Sequence, residues 1–149
     1  MIHDRYHASK RNPFNEIECS DHYARAMASY GTFLTACGFE YHGPKAKMKF
    51  NPAFGADLFK APFTTANGWG SYEQKKTDGE MVGNISLVSG TLQLNQLTVL
   101  HSDRAQKLKL SLNGKKVSGS LVIENNEVTI HFENQLTLDA GSKLEFQLS

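Results

Sequence analysis

Apolar and polar residues alternate along most of this 149-residue chain, from about Phe39 to the C-terminus. A period of two places successive side chains on opposite faces of an extended strand, so the pattern predicts antiparallel strands with one apolar and one wet face. Tight turns are predicted at Asn113-Gly114, a strong hairpin signal, and at residues 124–126. The alternation changes phase near Asn95-Gln96, which predicts a β-bulge or tight turn there. We therefore expect these strands to fold into a β-sandwich.

One helix is predicted before the strands, over residues 20–37. Apolar side chains recur there at helical spacing and form one stripe, made of Tyr23, Met27, Tyr30, Leu34 and Cys37. Ser20 is a good N-cap, and Gly38 follows as the C-terminal stop. Small residues beside the stripe predict a helix that is packed on more than one side. The expected fold class is α+β, mainly β, with one N-terminal helix followed by an antiparallel β-sandwich-like domain.

Composition and charge exclude several classes of function. The net charge is +1 and the basic residues are scattered, so the chain lacks the basic footprint of a nucleic-acid-binding protein. No apolar run approaches the about 20 residues that a membrane helix needs, which predicts a soluble protein. The helix would hold Cys19 and Cys37 about 25 Å apart, too far for a disulfide, so free thiols are expected. Neither the compartment nor the oligomeric state follows from the sequence.

An acidic segment enters the predicted helix and contains Glu16, Glu18 and Asp21. Glu16 and Glu18 share one face of an extended segment, so they are poorly placed to flank a glycosidic bond from opposite sides as a catalytic pair. Ion pairing with nearby basic residues and binding of a ligand's hydroxyl groups are the two other interpretations. Arg25, with five donors in a rigid fork, either pairs with Asp21 or binds such a ligand.

Other chemically active side chains give weaker patterns. His3 and His7 have the i, i+4 spacing of two metal ligands on a helix, but no third ligand lies nearby in the sequence. Cys19 has no neighbouring base of the kind that activates a thiol nucleophile. We therefore expect neither a metal site nor a cofactor.

Residues 51–83 give the least regular pattern, with short strands predicted near Phe63–Ala66 and Trp69–Lys75. Four aromatic side chains in this stretch offer either a stacking platform for a sugar ring or, more commonly on short strands, part of a core: Trp69, Tyr72, Phe63 and Phe59. Composition alone does not separate the two interpretations.

Two consecutive segments resemble a known family. Residues 11–19, Arg-Asn-Pro-Phe-Asn-Glu-Ile-Glu-Cys, and residues 22–30, His-Tyr-Ala-Arg-Ala-Met-Ala-Ser-Tyr, resemble the C-terminal end of the catalytic domain of glycoside hydrolase family 116. That family includes β-glucosidases and non-lysosomal glucosylceramidases. Residues 38–44 resemble the exit from its last barrel helix. Residues 63–65 and 68–72 resemble, more loosely, the β-rich tail of longer bacterial members.

The resemblance implies a retaining β-glycosidase with an (α/α)6 barrel whose last helix is the one predicted here. It assigns Glu16 and Arg25 to binding sugar hydroxyls in the −1 subsite, whereas no position of this chain matches the nucleophile or the acid/base. Residues 1–43 would end the barrel and residues 44–149 would form a β-sandwich-like accessory domain. The implied partner is a β-glucoside or glucosylceramide-like substrate of a full-length parent, and the isolated chain is expected to be inactive.

Two other functions stay open at this level. A stand-alone carbohydrate-binding or interaction module would use Trp69 and neighbouring aromatic side chains on the face of a sheet. A scaffold would only pack against the rest of its parent enzyme. Saccharide binding that depends on Trp69 separates the first from the second.

Overall fold

The structure is a computed structural model that describes residues 26–77, 79–100 and 105–149. The chain divides into two units, Met1–Leu34 and Thr35–Ser149. Helix α1 spans Ala26–Cys37, and the part of the helix predicted before it, over residues 20–25, lies outside the described residues. Strands make up most of the second unit, so the prediction of an α+β, mainly β fold is confirmed.

Ten strands follow the helix in the described residues. In chain order they are β1 Glu40–His42, β2 Lys47–Phe50, β3 Leu58–Thr64, β4 Gly68–Thr77, β5 Glu80–Leu100, β6 Leu108–Leu112, β7 Lys115–Lys116, β8 Gly119–Glu124, β9 Glu127–Asp139 and β10 Lys143–Leu148. A single 3₁₀ turn, Gly43–Lys45, joins β1 to β2.

Helix α1 ends at Cys37, as predicted from the glycine that follows. Gly38 has a φ of 55°, the left-handed conformation of a helix stop, and its amide donates to the Thr35 carbonyl at 3.2 Å. A Cβ at this position would lie 2.0 Å from the carbonyl oxygen of Asn51. Both the backbone angle and the close approach of the chain after β2 therefore require glycine.

Strand β5 has 21 residues and belongs to both halves of a β-sandwich. Its first part lies in a six-stranded half with the order β3-β4-β5-β10-β6-β7. Its second part lies in a five-stranded half with the order β1-β2-β5-β9-β8. Gly90, with a φ of 78°, marks the passage between the halves, and a Cβ there would lie 2.0 Å from the carbonyl oxygen of Asn67.

The described pairs are antiparallel except for one. β2 and β5 run parallel, with Met48 opposite Leu97. The prediction of an antiparallel sheet missed this pair. After β2 the chain forms β3 and β4 in the other half and then returns along β5 in the same direction. The alternation of apolar and polar residues within a strand does not predict which strand it pairs with when other strands come between them in the sequence.

Two register shifts in β5 change which side chains face the core. One lies between Leu94 and Gln96, so the predicted bulge is confirmed. The other lies opposite the step from Trp69 to Gly70 and leaves Val88 exposed. Each bulge inserts one extra residue, so the apolar residues on both sides of it still point inward.

Both predicted tight turns are present. Asn113 and Gly114 have φ values of 52° and 75° between β6 and β7, and Asn125 and Asn126 have values of 51° and 64° between β8 and β9. Positive φ at both central residues is the geometry of a type I′ turn, whose twist matches that of the flanking strands. Asparagine and glycine tolerate this conformation better than other residues, so the local sequence sufficed to predict both turns.

The core lies between the two halves. Tyr72 of β4 stacks on Phe50 of β2 with ring centroids 3.9 Å apart and planes 5° apart, so the halves meet face to face. One polar side chain, Gln74, is buried among the described residues. It accepts a hydrogen bond of 2.7 Å from the Tyr72 hydroxyl and donates one to the carbonyl of Ala56. The buried Gln74 amide is thus hydrogen-bonded through both its oxygen, to Tyr72, and its nitrogen, to Ala56.

Candidate functional site

The residues assigned to sugar binding by resemblance, Glu16 and Arg25, lie outside the described residues, as do Glu18, Asp21, Cys19, His3 and His7. Their roles stay predictions. The structure describes the segment that follows Arg25 as helix α1, from Ala26 onward.

Helix α1 has no charged residue in its twelve positions. Residues 29–32 are exposed, and Tyr30, stacked on Phe33 with ring centroids 6.1 Å apart, leaves 44% of its surface accessible. The helix also carries the hydroxyl side chains of Ser29, Thr32 and Thr35, so its described residues are uncharged without being apolar on all sides.

The aromatic platform predicted around Trp69 is not formed as a group. Tyr72 and Phe63 are fully buried in the core, and Phe59 packs partly against it. Of the four, only Trp69 is on the outside, with 49% of its surface exposed. The strand alternation explains this division, because Trp69 and Tyr72 are three residues apart and point to opposite faces of β4.

A row of polar side chains crosses the outer face of the six-stranded half. The strand registers place Lys60, Glu73, Asn84, Glu145 and Ser111 side by side on β3, β4, β5, β10 and β6. Lys60 forms an ion pair with Glu73, and Asn84 donates to the same carboxylate at 3.4 Å. Ser111 donates to Glu145 at 3.4 Å. We call this row the polar ladder.

Two shallow grooves lie on this face, with volumes of about 360 and 320 Å³. They meet at residues 82–84 of β5, and both include members of the polar ladder in their walls. The second groove is also lined by Lys109 and Gln147. Carboxylate, amide and ammonium groups beside a shallow depression suit a ligand with many hydroxyl groups.

The two carboxylates of the ladder are not spaced as the pair of a retaining glycosidase. They are two strand spacings apart, roughly 10 Å, which is wider than the about 5–5.5 Å of a retaining pair. The hydrogen bond from Lys60, with a further one from Asn84, holds the pKa of Glu73 below its usual value. Lys143, whose Nζ lies 2.7 Å from Glu145, does the same for the pKa of that carboxyl. A general acid needs a raised pKa, so neither carboxyl is suited to that role.

The outer face of the five-stranded half carries structural contacts. Lys49 forms an ion pair of 2.6 Å with Glu127, and Thr98 and Thr129 share a hydrogen bond of 3.0 Å. Within the described ranges no three His, Cys, Asp or Glu side chains are grouped so as to hold a metal ion. Cys37 is buried, and burial raises the pKa of its thiol, which makes it a poor nucleophile.

The polar ladder was not predictable from the sequence alone. Its members come from five strands between positions 60 and 145 and share no local motif. Alternation shows that each one faces outward, but only the strand order and register show that they are neighbours. If the strand order and register were known, polar residues at positions that lie side by side on neighbouring strands would predict the ladder.

No protein-family model matches this chain, and no curated protein is significantly similar to it. Among solved structures it is similar to an α-L-rhamnosidase from Dictyoglumus thermophilum, at 13% identity and a TM-score of 0.44, over 93% of this chain and 16% of that one. It is also similar to Ara127N-Se, a GH127 β-L-arabinofuranosidase from Geobacillus stearothermophilus T6, at 13% identity and a TM-score of 0.47, over 88% of this chain and 19% of that one. The chain spans less than a fifth of either protein. These similarities carry no inference about activity.

No helix in the part of the chain that the structure describes combines the length and the apolar character needed to cross a membrane.

Proposed function

We propose that this chain is the C-terminal part of a retaining β-glucosidase or glucosylceramidase of the family 116 type. Glu16 and Arg25 bind hydroxyl groups of the sugar in the −1 subsite, and the β unit is an accessory domain of the same enzyme. Residues 1–43 form the end of the catalytic barrel, and residues 44–149 form that domain. The nucleophile and the acid/base are supplied by other segments of the parent protein.

The observation that carries the proposal is the continuity of motif and helix. The second family-like segment, residues 22–30, extends into α1, and the described residues of α1, Ala26–Cys37, carry no charge. The last helix of an (α/α)6 barrel packs against its neighbours in the ring, so it needs apolar residues on more than one side. The polar ladder also supports the proposal, because its two carboxylates are ionised and do not form a second catalytic pair on the β unit.

Activity measurements on a full-length protein that contains this chain test the proposal. Arg25→Lys and Glu16→Gln should each lower kcat/KM for an aryl β-glucoside about 10- to 150-fold, since a lost hydrogen bond to a charged group is worth about 1.5–3 kcal/mol. Lys49→Gln, which removes an ion-pair partner on the β unit, is the control and should leave kcat/KM unchanged. Unchanged values for both site variants would contradict the assigned roles.

The isolated chain provides a second test. Without the two carboxylates of a double displacement it should release no aglycone from an aryl β-glucoside above the background rate. Turnover that persists through purification and follows the chain would defeat the proposal, because it would require a complete active site within these 149 residues.

Carbohydrate binding by the β unit is the second candidate function, favoured by the half-exposed Trp69 on the outer face of β4. An exposed indole ring stacks readily on the apolar face of a pyranose. Calorimetric titration with cello-oligosaccharides tests this candidate. Binding that is lost in Trp69→Ala and kept in Leu58→Ala, which truncates another exposed apolar side chain of the same sheet, supports it. An absence of binding heat for the unmodified chain assigns the β unit to a supporting role alone.

A further inference from the structure

The described sheets end in four edge strands, and three of them are protected against further pairing. β1 has three residues, and β7 has only two, Lys115 and Lys116. β3 carries Lys60 and also Pro62, which has no amide hydrogen to donate. Short length, lysine and proline are common ways in which proteins block a free edge. β8, Gly119–Glu124, has none of them.

Strand β8 is also apolar on both of its faces. Val122 and Ile123 leave 44% and 42% of their surfaces exposed, and as consecutive residues they point to opposite sides of the sheet. β8 pairs with β9 on one side, and no described strand pairs with its other side. An unprotected edge with exposed branched side chains is a template for another strand.

The pairing with β9 determines which backbone groups of β8 point to the free edge. The amide of Glu133 donates to the carbonyl of Ser118, directly before β8, at 3.1 Å. Backbone groups alternate in direction along an antiparallel strand, so those of the even-numbered residues point toward β9. The amides and carbonyls of Leu121 and Ile123 therefore point away from β9 and are oriented to bind a further strand.

We propose that β8 pairs antiparallel with β8 of a second copy of this chain, across a two-fold axis at Val122. In this register Leu121 of each copy lies opposite Ile123 of the other, and the outward amides and carbonyls of these residues form the backbone hydrogen bonds. Val122 meets its symmetry mate, and Glu124 lies opposite Ser120. No like charges face each other in the pairing, and a net charge of +1 per chain opposes association only weakly.

The side chains select this register over the alternative. A two-fold axis at Leu121 is also compatible with the directions of the backbone groups. It would place Ile123 opposite Gly119 and Val122 opposite Ser120, so each exposed branched side chain would meet a small or polar residue. The axis at Val122 instead brings apolar residues against apolar residues on both faces, and the five-stranded halves of the two copies form one continuous sheet.

Cysteine cross-linking tests the register. Residues opposite each other in a non-hydrogen-bonded antiparallel pair have Cα atoms about 4.5 Å apart, within the range of a disulfide. In a chain with Cys19 and Cys37 replaced by alanine, Val122→Cys should give a covalent dimer on mild oxidation. Ser120→Cys is the matched control, since its symmetry mates lie four residues apart along the strand, about 14 Å. Equal cross-linking at both positions, or none at Val122→Cys, overturns the proposal.

Sedimentation equilibrium of the full chain tests association itself. The unmodified chain should dimerise, and Val122→Lys should raise the Kd for dimerisation about tenfold, because two ammonium groups then lie directly opposite each other. Val88→Lys places the same charge at a similarly exposed valine of the other half and should leave the Kd unchanged. A monomeric unmodified chain overturns the proposal and leaves the β8 edge to a strand of another protein. An equal rise in the dimerisation Kd for both variants also overturns it.

Discussion

Removing one hydroxyl group from the core, by Tyr72→Phe, should measurably destabilise the β unit. The Tyr72 hydroxyl donates a 2.7 Å hydrogen bond to Oε1 of Gln74, and both side chains are buried. The phenylalanine ring of the variant keeps the stack on Phe50 at 3.9 Å, so the packing is retained and the hydrogen bond alone is lost. Oε1 of Gln74 is then buried without its donor.

The expected magnitude follows from the position of Gln74. Its Nε2 group donates to the carbonyl of Ala56, so the side chain is held at its other end and cannot rotate toward a new donor without breaking that bond. A buried acceptor that loses its partner costs about 1–3 kcal/mol. We expect the free energy of unfolding to fall by that amount, with a Tm lower by roughly 4 °C for each kcal/mol.

Urea unfolding provides the measurement. Trp69 is the only tryptophan of the chain and lies in β4 with Tyr72, so its fluorescence reports on the strand that is perturbed. Far-UV circular dichroism follows the sheet as a whole. The two signals should change at the same urea concentration, and the slope of the free energy of unfolding with urea should be the same for Tyr72→Phe and the unmodified chain. These results would establish that the two proteins differ in stability and not in the extent of unfolding.

A second tyrosine of the chain serves as the control. The Tyr41 hydroxyl donates to the carbonyl of Gln93 at 3.1 Å in an exposed position, where water replaces the lost bond, so Tyr41→Phe should change stability by less than about 0.5 kcal/mol. Tyr72→Phe combined with Gln74→Met should cost less than the two single changes together, because it removes both partners. A Tyr72→Phe chain as stable as the unmodified one would refute the reasoning.

Two further predictions concern the same β unit. Gly90→Ala should lower the free energy of unfolding by more than about 2 kcal/mol, because the strain of a left-handed backbone adds to a contact of 2.0 Å with the Asn67 carbonyl. Gly141→Ala is the control: its Cβ would have no atom within 4 Å, so it should cost only the strain, about 1–2 kcal/mol. Equal losses of stability in urea unfolding would contradict this prediction. Burial raises the pKa of Tyr72 well above its usual value, so its contribution to stability is present below about pH 10 and is lost as the pH rises further. The difference in stability between the unmodified chain and Tyr72→Phe should therefore shrink above that pH, and a constant difference would show that the folded chain ionises the hydroxyl freely.

The parts of the fold that were predictable from sequence depend on neighbours along the chain. The stop at Gly38, the turn at Asn113-Gly114 and the bulge near Gln96 each follow from the conformational preferences of one or two residues or from a local change in alternation. A period of two also separates the faces of a strand. Val128 and Ile130 are two residues apart and therefore share one face of β9, and both are buried.

The parts that were not predictable depend on which strand lies beside which. The parallel pairing of Met48 with Leu97 arises because β5 crosses between the halves at Gly90. The alignment of Glu73 with Glu145 arises because β4 and β10 both pair with Asn84 of β5. Nothing local in the sequence identifies one 21-residue strand that serves two sheets. The aromatic side chains near Trp69 stayed ambiguous for the same reason, because burial of Tyr72 requires the opposite half, which Phe50 supplies.

The charge arrangement on the β unit limits where its function can lie. Each ladder carboxylate has its own lysine, Lys60 for Glu73 and Lys143 for Glu145, so the charge of each carboxylate is neutralised locally. Local neutralisation also lowers both carboxyl pKa values, and a glycosidase acid needs the opposite. The exposed indole of Trp69 and the open edge of β8 are two features of the β unit that are suited to contact rather than to catalysis.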